Sequence, residues 1–291
     1  MTIAHDLAER ILDFKYADLP EQAVRWAEIA FLDTVGVTLA GATEDCTQIL
    51  ERLPVALAAG GPCLAYASGR RTDPMNAMLI NGTASHALDF DDFAWGIGGH
   101  PSVPLVPAIM AVGEMQAVSG EDAITAYVAG FETESRFGHA LHPYHYNRGW
   151  HPTVTLGIFG TVAAAGRLMG LDKDQMATAL AIAASMASGV KANFGTMVKP
   201  LHVGHCLRDG MMAVMIAKDG FTARDEAFEH KQGYFQVFNG EGNFDAAKLF
   251  ENWADPLEIV SPAFGLKQFP CCGSTHTAIN CLMELSDEHD L

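Results

Sequence analysis

Apolar residues recur along most of the chain at spacings of three and four, the period of a helix with one buried face. After Leu19-Pro20-Glu21, the positions Val24, Ala27, Phe31 and Val35 make such a stripe, and Gly41 is a natural end for it. Residues 5–14 predict a short helix before it. Residues 45–59 predict another after it, interrupted at Pro54. Residues 63–67 are an apolar run between glycines, which reads as a strand or an extended loop. Asp73-Pro74 has the signature of an N-cap followed by proline at the first helical position, and predicts a helix from Met75 to about Asp92. Further helices are expected over 104–118, 121–139, 153–169, 173–188 (capped by Asp172) and 204–219. Those over 153–169 and 173–188 are apolar on all sides, which places them at the centre of a large helical domain. Residues 140–152 read as irregular and 195–202 as a loop.

The pattern changes after Gly220. Residues 239–256 are rich in Gly, Asp and Asn, like a linker. Residues 258–260 and 266–269 read as short strands, and Ser274 as the cap of a final helix reaching about Glu288. The expected fold is mainly α. A large all-helical domain spans residues 1–257, followed by the beginning of a smaller α/β domain over 258–291.

Composition removes several function classes. The 291 residues are 49% hydrophobic, enough for a large core. Thirty-five acidic against 18 basic residues give a formal charge of −17, the wrong sign for nucleic acid or an anionic membrane surface. The six cysteines match neither a zinc ribbon nor a thioredoxin motif. The start, Met-Thr-Ile-Ala-His-Asp, carries no basic and apolar signal pattern. No apolar run reaches the roughly 18 residues of a membrane span, so a reducing cytoplasm is the expected location. Neither GxGxxG nor GxxxxGKS is present, which leaves nucleotide binding unsupported.

Candidate chemistry concentrates between His86 and Ser102. There two histidines and three carboxylates, Asp89, Asp91 and Asp92, alternate with Leu88, Phe90, Phe93 and Trp95 around a glycine-rich bend. Unpaired buried carboxylates cost several kcal/mol, so the mixture marks a half-buried polar site. On the expected helix, His86, Asp89 and Phe93 share a face at i, i+3 and i+7. Gly96, Gly98 and Gly99 then return the chain, so that His100 reaches back toward Asp89. This pair reads either as a general base with an orienting partner or as a cluster capping a helix end. His151 lies just before an apolar helix and is either part of an anion site or a plain cap. Lys199, before proline in a Gly-bounded loop, can supply a charge that grips a carboxylate, or be a surface lysine in a turn. Lys267 is a second candidate cation. Cys271 and Cys272 read as packing residues. Two sets, His139/His142/His145 and His202/His205/Cys206, bring possible metal ligands close in sequence, but neither has a zinc pattern.

The blocks HALDFDD, GGHPS, GWHPT, MVKPLHVGH and KQFPCCGSTH, in this order and spacing, resemble the MmgE/PrpD family along essentially the whole chain. That family includes 2-methylcitrate dehydratase, cis-aconitate decarboxylase and iminodisuccinate epimerase. The resemblance implies a helical domain plus an α/β lid, a site between them, homodimers, and no metal or organic cofactor. It implies a lyase of the 2-methylcitrate dehydratase type, moving a proton next to a carboxylate of a small polycarboxylic acid. The alternatives are an iminodisuccinate-type epimerase and a non-catalytic helical dimerisation module. Carried over by motif, the expected catalytic residues are Asp89, His100, His151 and Lys199, with Lys267 and His202 binding substrate. Lys199 and Lys267 would hold carboxylates, one histidine would move the proton, and Asp89 would orient it. Phe93 stands where some members carry a hydroxyl residue. Members are also longer, so the lid is expected to be incomplete in this chain.

Overall fold

The computed structural model describes residues 2–55 and 60–290 and is mainly α-helical. Helix α1 (Ile3–Asp13) buries Ala4, Leu7, Ala8 and Ile11, one stripe at helical spacing. Helix α2 (Glu21–Gly41) has the expected ends, but its buried stripe is Ala23, Ala27, Ala30, Thr34, Val37, Thr38 and Gly41. Of the expected stripe, Ala27 alone is fully buried. Small residues win because the contact is close: a Cβ on Gly41 would lie 2.0 Å from the Ala84 carbonyl oxygen. Helix α3 (Asp45–Glu51) falls within the helix expected over 45–59, of which residues 56–59 lie outside the described residues. The run at Cys63 is strand β1 (Cys63–Ala65), paired antiparallel with β2 (Arg70–Thr72), Cys63 opposite Thr72.

Helix α4 (Pro74–Ser85) begins as expected, with Asp73 Oδ1 accepting from the main-chain N–H of Met75 and Asn76. It is buried from Asn76 to Ser85. It ends at Ser85 and not near Asp92. The His86 and Ala87 N–H groups turn back to Thr83 and Ala84, and Asp89 adopts a left-handed φ of 50°. The expected helical face joining His86, Asp89 and Phe93 therefore does not exist. Helix α5 (Val106–Met115) follows, then α6 (Gly120–Leu141), capped by Ser119.

The expected helix over 153–169 is broken at Leu156 into one turn, Pro152–Thr155, and α7 (Gly157–Leu168). Helix α8 (Lys173–Met186) starts with a capping box between Asp172 and Gln175. Every residue of α7 from Gly157 to Gly166 is buried, and α8 is largely so, which is the central position read from their composition. Helix α9 (Val198–Lys218) begins earlier than expected and takes in Lys199. Pro200 fits its first turn, where a main-chain N–H has no intrahelical partner to lose.

Two glycine-mediated crossings set the frame. A Cβ on Gly204 of α9 would lie 2.2 Å from Leu79 O on α4, and one on Gly130 of α6 would lie 3.0 Å from Gly160 O on α7. Residues 239–256 are not a free linker. After α10 (Tyr234–Asn239) they pack on α6: Arg136 donates to the carbonyls of Glu251 and Asn252, and Glu132 accepts from the N–H of Ala254 and Glu258. The strands expected at 258–260 and 266–269 do not form. The first is a turn closed by Val260 N–H to Leu257 O, and the second is preceded by an isolated bridge, Gly265 to Phe93. Helix α11 (His276–His289) closes the described chain. Ser274 lies in the 3-10 turn before it and does not cap it, and no residue of α11 is buried. No helix among the described residues is long and apolar enough to cross a membrane.

Candidate active site

Five segments converge on the turn after α4. Asp89, held in its left-handed conformation, sits between two ammonium groups. Lys199, in the first turn of α9, places Nζ 2.7 Å from Asp89 Oδ2. Lys267, from the tail, places Nζ 2.6 Å from Oδ1 and 2.5 Å from the Asp89 carbonyl oxygen. Contacts of this kind are worth about 1.5–3 kcal/mol each. Burial works against charge on Asp89, but Lys199, His100 and Lys267 outweigh it and hold its carboxyl below the usual range.

The glycine bend does bring His100 back. Its Nε2 lies 3.6 Å from Asp89 Oδ1, while its Nδ1 lies closer, 3.0 Å, to Asp91 Oδ2. That second contact is an ion-pair approach without the alignment of a hydrogen bond. The same Asp91 oxygen takes a hydrogen bond from His86 Nδ1 at 2.7 Å. Burial works against charge on Asp91, and the two imidazoles reverse it, holding the acid well below the usual carboxylate range. Burial keeps His86 neutral, down to about 4, despite Asp91 beside it.

The loop is clasped at its ends. Asp92 accepts from Ser102 Oγ at 2.5 Å and from the Ser102 N–H at 3.2 Å, and Ser102 Oγ meets the Tyr127 hydroxyl at 2.6 Å. Burial, with the Asp91 charge alongside, raises Asp92 to about 7. The His100 N–H donates to Thr153 Oγ1, 3.1 Å away, which ties the loop to the turn that His151 precedes.

His151 stacks on His86 with ring centres 5.6 Å apart, and its Nδ1 is 3.2 Å from His202 Nδ1. One of the two rings donates there and the other accepts. Burial, followed by the neighbouring imidazoles and Lys199, pushes His151 well below the usual histidine range. Burial lowers His202 too. His202 also lines an open cavity of about 220 Å³ with Ser188, Gly189, Val190, Leu201 and His205.

All six expected residues are thus brought near one another, with altered partners. Lys199 and Lys267 both end on Asp89, and the carboxylate closest to His100 is Asp91. Asp91 and His86 stand in the HALDFDD block, and their pairing with each other and with His100 is the part of the site that sequence reasoning missed. The set His139/His142/His145 disperses: His139 pairs with Glu258, His142 is exposed, and His145 bonds Asn239 and Thr155. Among the described residues, one group has ligand-like proximity, His86, Asp91 and His100. Its N–O separations, 2.7 Å in the His86 hydrogen bond and 3.0 Å in the His100 ion-pair approach, are those of direct contact between the side chains. A tetrahedral zinc with bonds of about 2.0–2.1 Å would hold its ligands about 3.3 Å apart.

The chain is similar to several known proteins. A cis-aconitate decarboxylase-like protein of Aspergillus oryzae is 28% identical over 97% of this chain and 61% of its own length. The human cis-aconitate decarboxylase is 28% identical over 94% and 58%, and that of Aspergillus terreus 26% over 94% and 58%. The chain therefore spans about three fifths of the length of these curated relatives. The MmgE/PrpD N-terminal domain matches residues 5–247, which contain the whole cluster except Lys267, and the chain belongs to the MmgE/PrpD family.

Proposed function

We propose that this chain carries the acid–base part of a cofactor-independent lyase site for a small polycarboxylic acid, of the 2-methylcitrate dehydratase type. The observation that carries the reading is the pair of ammonium groups converging on one carboxylate beside His100. A substrate carboxylate has the same charge and shape as the Asp89 side chain, so it can take over part of that hold. The ammonium groups then stabilise the negative charge that builds up when the neighbouring carbon gives up its proton. His100 is our candidate for moving the proton. It has a carboxylate at each nitrogen, whereas burial keeps His86 and His151 neutral. His151 and His202 line the other side, as hydrogen-bonding groups that need no charge.

A second reading, decarboxylation, is favoured by the names of the relatives, all cis-aconitate decarboxylases or decarboxylase-like. Both outcomes need the same proton on carbon and the same carboxylate grip. We place the division between the helical domain and the start of a lid at residue 257, and expect a homodimer. Incubation with citrates, aconitates and malates, followed by product NMR, tests the proposal. A new C=C bond with release of water supports dehydration, and release of CO2 supports decarboxylation. Inversion at carbon alone would favour an epimerase instead.

A further inference from the structure

Asp91 is not among the residues carried over by motif, yet it lies between two histidines of the site. It is fully buried, and one of its oxygens, Oδ2, serves two imidazoles: His86 Nδ1 at 2.7 Å and His100 Nδ1 at 3.0 Å. It cannot move far, because Asp92, the next residue, is clasped by Ser102. His86 cannot move either. It is buried at the end of α4, edge-on to His100 at 4.7 Å and stacked on His151. Its Nε2 has no partner, so the Nδ1–H···Oδ2 bond is what fixes its ring.

A neutral imidazole that donates one hydrogen bond satisfies part of the Asp91 carboxylate without cancelling its charge. The charge is left for His100. We propose that Asp91 is the positioning residue of the site: it turns His100 so that Nδ1–H faces the buried carboxylate and Nε2 faces Asp89 and the lysines, with His86 as a strut. The inference rests on His100 being the proton-moving group. In that step a substrate C–H bond breaks, an Nε2–H bond forms, and the electron pair stays on carbon, spread into the adjacent carboxylate. His100 becomes an imidazolium, and Asp91 supplies the opposite charge at the far nitrogen. The groups facing His100 are Asp89, Asp91, His86 and the Phe93 ring, with Asp92 and His151 within electrostatic reach.

The test is histidine side-chain 15N NMR of the full chain between pH 5 and 8.5, with kinetics on the same samples. In the wild type, neutral His86 and His100 should both carry their proton on Nδ1. In Asp91→Asn, the His100 titration midpoint should move down by about one pH unit and its neutral form should shift toward Nε2–H. Where turnover is present, kcat should fall at least about a hundredfold with KM within about threefold, and the pH profile should move with the NMR midpoint. A purely structural role would lower the melting temperature but leave the His100 titration and pH profile in place, and that result overturns the inference. Should Asp91→Asn fail to fold, the wild-type spectrum still decides: an Nε2–H tautomer for His100 overturns it. The NMR readout needs no substrate. A His100 that responds to Asp91 in a chain without turnover would sink the lyase reading and leave the positioning role intact.

Discussion

Lys267 reaches across 178 positions of sequence to Asp89, with Nζ on both the carboxylate and the carbonyl oxygen of that residue. The lysine side chain is only 4% exposed. It is the tie between the tail and the left-handed turn after α4, and it makes the site depend on residues beyond the helical frame. Lys267→Met should therefore have two effects. Turnover, measured as kcat/KM, should fall by about a hundredfold, near 2.7 kcal/mol. Hydrogen exchange of residues 258–275 should speed up, because the tail loses its anchor. Lys199→Ala should match the first effect without the second.

Stability should show opposed pH dependences from two neighbours. Asp92 is raised to about 7 by burial, so the folded state binds a proton that the unfolded state has released. Its contribution is full below the ordinary carboxylate value and is lost as pH rises through 7. His86 is lowered to about 4 by burial, so the unfolded state binds the extra proton, and stability is lost as pH falls from 6.5 toward 4. Urea unfolding of Asp92→Asn should show a smaller loss between pH 5 and 8 than the wild type. The acid-side loss should persist in that variant.

Ser102→Ala removes the hydroxyl shared by Asp92 and Tyr127 and leaves buried polar groups unpaired. The expected cost is about 1–3 kcal/mol in chemical unfolding. The loop carrying His100 should exchange faster with solvent as well, since Ser102 closes that loop.

Gly204→Ala tests the frame itself. The new Cβ would lie 2.2 Å from Leu79 O, and main-chain atoms cannot yield as a side-chain tip does. Separating α9 from α4 should cost about 1–3 kcal/mol or more. It should also move Lys199 away from Asp89, so turnover should fall by more than the stability loss alone explains.

Much of the helical frame was legible because its signals are local. Asp73-Pro74 and the Asp172 cap mark starts, and the apolar runs of α7 and α8 mark a centre. The errors arose where tertiary contacts decide. Thr83, Ala84 and the left-handed Asp89 stop α4 six or seven residues before its apolar pattern fades, and no residue in HALDFDD announces that stop. The tail looked like strands because Glu258–Val260 and Leu266–Phe269 are apolar-rich, yet their partners are α6 and the site loop. The site residues were found through motif order. Their pairings were not, because they depend on where each side chain reaches: Lys199 and Lys267 to one carboxylate, His86 and His100 to another.

The central claim, that His100 beside the doubly held Asp89 moves a proton on a carbon next to a carboxylate, is tested most directly by solvent exchange. The purified chain is incubated in D2O with citrates, aconitates, malates and iminodisuccinate, and the C–H signals are followed by proton NMR. The account predicts deuterium uptake or conversion of at least one polycarboxylate, reduced at least about a hundredfold in His100→Gln and in Lys199→Ala. Equal exchange by folded His100→Gln and the wild type, or no exchange of any of these acids by the folded wild-type chain, would contradict it.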